Sequence, residues 1–450
     1  MAPLASPSGY QQLAERLNRF PQGAPPSEQL FRILSTLFTE EEARLVALLP
    51  IRVFHAEQAA RAWGTQIATA RKKLDDLCRR ALLVDFEQDG RLTYCLPPPM
   101  AGFFEFSMMR VRDDINQKAL SEMLYRYINM EEDFAKALFT QGQTQLGRAF
   151  VDEGQLPAPF SVEVLDHERV SHIIETASHI AVGICYCRHK MSYLGQACDA
   201  PKEICLTFNL VAASLIRHGN ARPADAAEAI DILQRAKSHH LVQFGENVRQ
   251  DVCFICNCCK CCCEGMIAAR RFAMFHPVHT TNYLPRIDTT RCTGCGQCST
   301  LCPVEAITMA PEKASERVRT KPLLNKDICL GCGVCASACP SGAIELTVRE
   351  KRVVTPLNTA HRVLLMAIER NTLSHVLLNN QVMGNYRALA AFLGVIFHLP
   401  PAKQLLASRQ LRSRYLETVV EKLRWQPPNE KSNTDPTPST EGKMKCSTSV

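Results

Sequence analysis

The first hundred residues place their apolar side chains at helical spacing. Leu30, Ile33, Leu34 and Leu37 share one face of a segment at 28–38. Thr39 and Glu42 fit a capping box that opens a second helix, and Pro50 ends it after Leu49. A short third helix is expected at 56–63, followed by a turn at Gly64-Thr65. A fourth, at about 66–80, aligns Ile67, Ala70, Leu74 and Leu77. The segments 82–88 and 91–96 then flank Asp89-Gly90, a strong signal for a two-residue hairpin. Helices followed by a hairpin give the order of a winged helix, so residues 28–96 are expected to form a winged-helix-like domain.

Pro97-Pro98-Pro99 interrupts the pattern. Residues 105–150 read as helical, and the span up to 282 as mixed but mainly helical. Helices are expected at 358–371, 385–398 and 403–423, within a C-terminal helical region at 356–425. Residues 427–450 are rich in Pro, Ser, Thr and Lys and carry no aromatic residue, a composition that predicts disorder.

Cysteine changes this picture. The chain has 22 cysteines in 450 residues, and they are clustered, which favours metal centres over a disulfide scaffold. Cys292, Cys295, Cys298 and Cys302, followed by Pro303, form the run C-x2-C-x2-C-x3-C-P. Cys329, Cys332, Cys335 and Cys339, followed by Pro340, repeat it thirty-seven residues later. Each copy is followed by Ala-Ile (Ala306-Ile307 and Ala343-Ile344). The spacing wraps a tight loop around three corners of a cubane, and Gly294, Gly296, Gly331 and Gly333 allow backbone angles that a side chain resists. Inward-pointing N–H groups in such a loop help to set the potential of an anionic cluster. A zinc or disulfide scaffold is the alternative, but zinc knuckles rarely show this triple spacing with a trailing proline.

The tandem run resembles the bacterial two-cluster ferredoxin domain, expected here over 283–349. That resemblance implies two [4Fe-4S] clusters with crossed ligation. Cys292, Cys295, Cys298 and Cys339 would hold one, and Cys329, Cys332, Cys335 and Cys302 the other.

Eleven further cysteines lie between 185 and 263. Thiolates held together repel one another unless a metal neutralises them, so this density predicts one or two further iron–sulfur centres. Zinc and a redox-active thiol relay are the alternatives. Consecutive residues such as Cys258-Cys259 or Cys261-Cys262-Cys263 cannot all serve one cubane, because neighbouring side chains point apart. Two centres, or one centre with spare thiols, follow. Arg188 and His189 stand beside Cys187 and could hydrogen-bond cluster sulfurs; a surface ion pair or a structural role are the plainer readings.

The segment resembles a family of prokaryotic multi-cluster iron–sulfur proteins, over about residues 28–425. The residues that carry the resemblance are Cys185-Tyr-Cys187-Arg188, then Gly195 with Cys198, Pro201, Glu203 and Cys205, then Ile255-Cys256-Asn-Cys258-Cys259-Lys-Cys261-Cys262. It implies cluster binding and electron transfer, with Cys185, Cys187, Cys198, Cys205, Cys256, Cys258, Cys259, Cys261 and Cys262 as further ligands. Cys253 and Cys263 fall outside its hallmark positions and rank lower. Cys78 and Cys95 read as core residues and Cys446 as a thiol of the tail.

The expected class is therefore α+β multidomain and mainly helical, with a winged-helix-like domain (28–96), a helical middle domain (105–282) carrying the Cys-rich segment (185–263), the ferredoxin-type module and C-terminal helices. The N-terminus lacks a signal-peptide pattern, and the longest apolar stretch, 389–397, is too short to span a bilayer. A soluble cytoplasmic protein without a membrane span is expected. The net charge of +7 is mild for this length and does not by itself argue for nucleic acid. Six basic residues between Arg61 and Arg80 suit a DNA-reading helix, but Asp75-Asp76 in the same helix would repel phosphate.

No substrate-activating base, nucleotide loop or flavin site is evident, so no catalytic residue is assigned. The primary expectation is an electron-transfer carrier or subunit with an unidentified redox partner protein. A redox-sensing DNA-binding regulator is the alternative, and an enzyme subunit with an open-coordination cluster a third possibility.

Overall fold

A computed structural model describes residues 7–88, 90–156, 166–314, 317–350 and 353–377. The helices expected at 385–398 and 403–423, the tail at 427–450 and Cys446 lie outside the described residues.

The N-terminal helices form where the apolar spacing puts them, at Glu28–Leu37, Glu40–Ala47, Ala56–Trp63 and Ile67–Arg79. Thr39 and Glu42 make the capping box, and Gly64 closes the third helix at φ 62°, where a Cβ is strained. An additional helix, Gly9–Leu17, precedes them and buries Leu13 and Leu17 in the same core. Strands β1 (Val84–Gln88) and β2 (Arg91–Cys95) pair antiparallel. Phe54 bridges to Tyr94 through backbone hydrogen bonds of 2.9 and 2.8 Å.

The hairpin is docked within the molecule. Asp85 of β1, 2% exposed, accepts a hydrogen bond from Ser214 at 2.6 Å, and pairs with Arg217 at 2.8 Å and His218 at 2.9 Å. Burial alone would push this carboxyl up, but its bonds from His218, Ser214 and Arg217 hold it at about 2. Cations of the preceding helix are also engaged: Lys73 pairs with Glu41 at 2.6 Å, Arg79 with Asp76, and Arg80 with Glu42 at 2.5 Å. With the hairpin face occupied and these cations neutralised, the arrangement does not favour DNA reading.

The middle region departs from the expected helical domain. It contains a six-stranded antiparallel sheet in the order β3-β7-β8-β5-β4-β6. The strands are β3 (Gly147–Ala149), β4 (Ile180–Ile184), β5 (Glu203–Phe208), β6 (Arg222–Ala224), β7 (Val242–Glu246) and β8 (Phe254–Cys258). The physical reason is burial. Runs such as Ile180-Ala-Val-Gly-Ile184 are covered and carry no period-two alternation, so they cannot be told from buried helix. Helices Tyr186–Tyr193, Asn209–Arg217, Ala226–Ser238 and Glu264–Arg271 pack around the sheet. Ile232, Leu233 and Ala236 cover Ile204, Leu206 and Ile255.

In the ferredoxin-type module, β9 (Tyr283–Ile287) pairs antiparallel with β12 (Ile344–Val348). The hairpin of β10 (Ile307–Ala314) and β11 (Arg317–Leu324) separates the two cysteine runs. Helix Thr359–Glu369 then returns to the sheet, where Arg362 pairs with the buried Glu246 at 3.0 Å.

Candidate metal centres

The two cysteine runs fold alike. Each loop carries glycines at positive φ, at 73° and 80° for Gly294 and Gly296, and 69° and 90° for Gly331 and Gly333. A side chain at Gly331 would strike the Tyr283 carbonyl oxygen, so glycine is also required there by close packing. Short helices Gln297–Leu301 and Val334–Ser337 follow and deliver the last cysteine of each run. The repeated alanine has a role: Ala306 N–H donates to Cys302 Sγ at 3.2 Å, and Ala343 N–H to Cys339 Sγ at 3.3 Å. Backbone donors to sulfur of this kind raise a cluster's potential.

Chain crossing brings the thiols together across the repeat. Cys292, Cys295, Cys298 and Cys339 line one small pocket. Cys302 lies within electrostatic reach of Cys329, Cys332 and Cys335. Burial pushes Cys329 up to about 11 and Cys332 up to about 12. These thiols stay protonated at neutral pH unless a metal displaces their protons.

The Cys-rich segment separates into two groups. Cys198, Cys259, Cys261 and Cys262 form a quartet whose sulfurs all lie within 4.8 Å of one another. Cys261 Sγ is 3.6 Å from Cys262 Sγ, which is 4.0 Å from Cys198 Sγ. Four converging sulfurs suit zinc or an iron–sulfur cluster.

The second group is a closed circuit of six: Cys185, Cys187, Cys263, Cys258, Cys256 and Cys205. Cys263 and Cys258 approach to 3.1 Å, and Cys205 and Cys256 to 3.5 Å. Cys185 neighbours both Cys187 and Cys205, Cys187 neighbours Cys263, and Cys256 neighbours Cys258. The sheet explains the convergence. Cys256 and Cys258 stand two apart on β8 and share a face. Cys205 on β5 lies beside Cys256, because Leu206 pairs with Ile255. Cys185 and Cys263 sit at the N-terminal caps of their helices.

Bonds from Cys205 and Cys258 hold Cys256 at about 5, and bonds from Cys187 and Cys258 hold Cys263 at about 6. Cys185 is lowered like Cys256 and Cys263, while Cys187, Cys205 and Cys258 are raised, so lowered and raised thiols alternate around the circuit. All six line one cavity of about 220 Å³, together with Glu105, Phe106, Met109 and Phe244.

Adjacent cysteines are thus divided between centres: Cys258 and Cys259 go to different groups, as do Cys262 and Cys263. Sequence reasoning set Cys263 aside, yet the structure seats it in the six-membered circuit. The missed signal was its position just before the apolar face of helix Glu264–Arg271. Cys253 joins neither group; it donates toward the Asp251 carbonyl oxygen at 3.5 Å. Cys78 is buried in the N-terminal core, and Cys95 packs partly buried against it.

Arg188 is fully buried between the two groups. It donates to the carbonyl oxygens of Pro201 and Asn257, both at 3.0 Å, and lies near Cys185 and Cys259. Burial alone would lower the guanidinium, but Cys185 and Cys259 raise it, and it stays charged. His189 is structural: its Nδ1 meets the Met108 carbonyl oxygen at 2.7 Å. His239 and His240 are exposed.

Among known families, one described as a 4Fe-4S dicluster domain matches residues 291–343. No curated protein and no solved structure matches the chain. The module is thus an iron–sulfur ferredoxin-type domain, and together with the Cys-rich site it indicates iron–sulfur electron transfer. Among the described residues, no helix is long and apolar enough to cross a membrane.

Proposed function

We propose that this chain is a redox carrier or subunit that passes single electrons from two [4Fe-4S] clusters in residues 291–343 into the Cys-rich segment. Cys292, Cys295, Cys298 and Cys339 hold the first cluster; Cys329, Cys332, Cys335 and Cys302 hold the second. Cys198, Cys259, Cys261 and Cys262 hold a further iron–sulfur centre. The clusters carry the electrons, and the protein sets their separation, potential and access. Its donor and acceptor are proteins, and the docked winged-helix-like region serves packing within the chain.

One observation carries the reading: the cysteine groups share apolar cores in series. Cys298 and Cys339 pack with Cys335. Cys302, Cys329 and Cys332 pack with Cys256, Cys258 and Cys263. Cys187 packs with Cys198, Cys259 and Cys262. Arg270 fastens the two halves by donating to the carbonyl oxygens of Lys260 at 2.6 Å and Pro303 at 3.0 Å.

Iron and acid-labile sulfide, measured on the anaerobically purified chain, test the proposal. The module alone supplies about eight irons, four per cubane. An equal count of sulfide and a total clearly above eight are expected. A total of eight or fewer, or zinc in the quartet, overturns the extended relay.

Arg188 gives a second test. Replacing it with leucine removes a buried positive charge, which favours the oxidised form of a neighbouring anionic cluster. The potential of a Cys-rich centre should fall by about 60 mV or more, equivalent to about 1.4 kcal/mol for one electron. Potentiometric EPR reads the shift, and the module's own signals should stay in place.

A further inference from the structure

We infer that the six-cysteine circuit is one polynuclear iron–sulfur site with six thiolate ligands, distinct from both the ferredoxin cubanes and the quartet. This goes beyond the relay proposed above, which stands whatever the six sulfurs hold.

The argument starts from ligand count. A cubane presents four iron corners and takes four cysteines. Here two close sulfur pairs, Cys205 with Cys256 and Cys258 with Cys263, are joined through Cys185 and Cys187, and each of the six has two others of the set as neighbours. No subset of four stands apart as a ligand set, as the quartet of Cys198, Cys259, Cys261 and Cys262 does. Six thiolates exceed the four that either a [2Fe–2S] or a [4Fe–4S] cluster takes.

The surroundings point the same way. All six cysteines line one cavity, which Glu105, Cys95, Cys253 and Cys259 also border. Glu105 lies close to Cys256, Cys263 and Cys185. Cys205, Cys256 and Cys258 are on adjacent strands of the sheet, and Cys185, Cys187 and Cys263 open two helices packed beside it. Cys263 lies outside the hallmark pattern that the sequence carries, and its place here comes from the geometry alone.

Native mass spectrometry of the full-length holoprotein tests the inference, comparing wild type with the six single Cys→Ala variants of the circuit and with Cys253→Ala as control. Each of the six should lose the same mass of iron and sulfide. Cys253→Ala should lose nothing. The EPR signals of the ferredoxin pair should persist in every variant, which shows that the chain has folded and that the proposed relay stands. Loss of about four irons in four variants and none in the other two means a cubane with two spare thiols, and overturns the inference. Loss of zinc without sulfide means a thiolate-bridged zinc pair, and also overturns it. So does wild-type protein with no metal beyond the module and the quartet.

Discussion

Replacing Cys302 with alanine should extinguish the cluster of the opposite run. Cys302 closes the first motif in sequence, but its sulfur sits in reach of Cys329, Cys332 and Cys335. Its loss leaves three thiolates around a cubane that needs four, and iron content should fall by about four per chain. The cluster held by Cys292, Cys295, Cys298 and Cys339 should keep its EPR signal. Cys339→Ala should give the mirror result, sparing the Cys329 cluster. If Cys302→Ala instead removes the signal that also depends on Cys292, ligation is not crossed. The Cys302 cluster also adjoins the Cys-rich segment, since Cys302, Cys258 and Cys263 share one core. Its removal should therefore slow electron arrival there, whereas Cys339→Ala acts at the remote end.

The largest stability effect is expected at Lys190. This ammonium is fully buried and pairs with Glu264, which is 4% exposed; Asn129 joins both, at 2.7 Å to Lys190 and 2.6 Å to Glu264. The Lys190 Nζ also lies 5.4 Å from the centroid of the Tyr125 ring. A pair this deep is not an economical source of stability, because both charges lose their hydration. Breaking it is another matter. Lys190→Met strands the Glu264 carboxylate, one residue from Cys263, and should cost about 3–5 kcal/mol. Denaturant unfolding of the holoprotein reads this as a lower midpoint. The double replacement Lys190→Met with Glu264→Gln should recover most of the loss. If the single and double variants are equally destabilised, the pair is not the cause.

How much of this was legible in the sequence depends on the range of the interaction. The helices between Glu28 and Arg79 followed from apolar spacing, Thr39 and Gly64, all of which act within a few residues. The helix at Gly9–Leu17 was missed, although Ser8 and Gln11 form a capping box there. The ferredoxin runs were legible because cubane geometry is written into local spacing. The six-stranded sheet was not: β5 meets β8 some fifty residues on, and only that pairing puts Cys205 beside Cys256. The division of Cys258 from Cys259 was foreseeable from opposed side-chain directions. Which distant thiols each would join was not, since Cys198 reaches the quartet from a separate loop.

The central claim is that one chain of iron–sulfur centres runs from the ferredoxin-type module into the Cys-rich segment. Anaerobic reductive titration of the full-length protein, followed by EPR, tests it most directly. The account predicts that each chain accepts more than two electrons, with magnetic coupling between the module's clusters and at least one further centre. Protein that takes up two electrons or fewer and shows only the module's signals would contradict it.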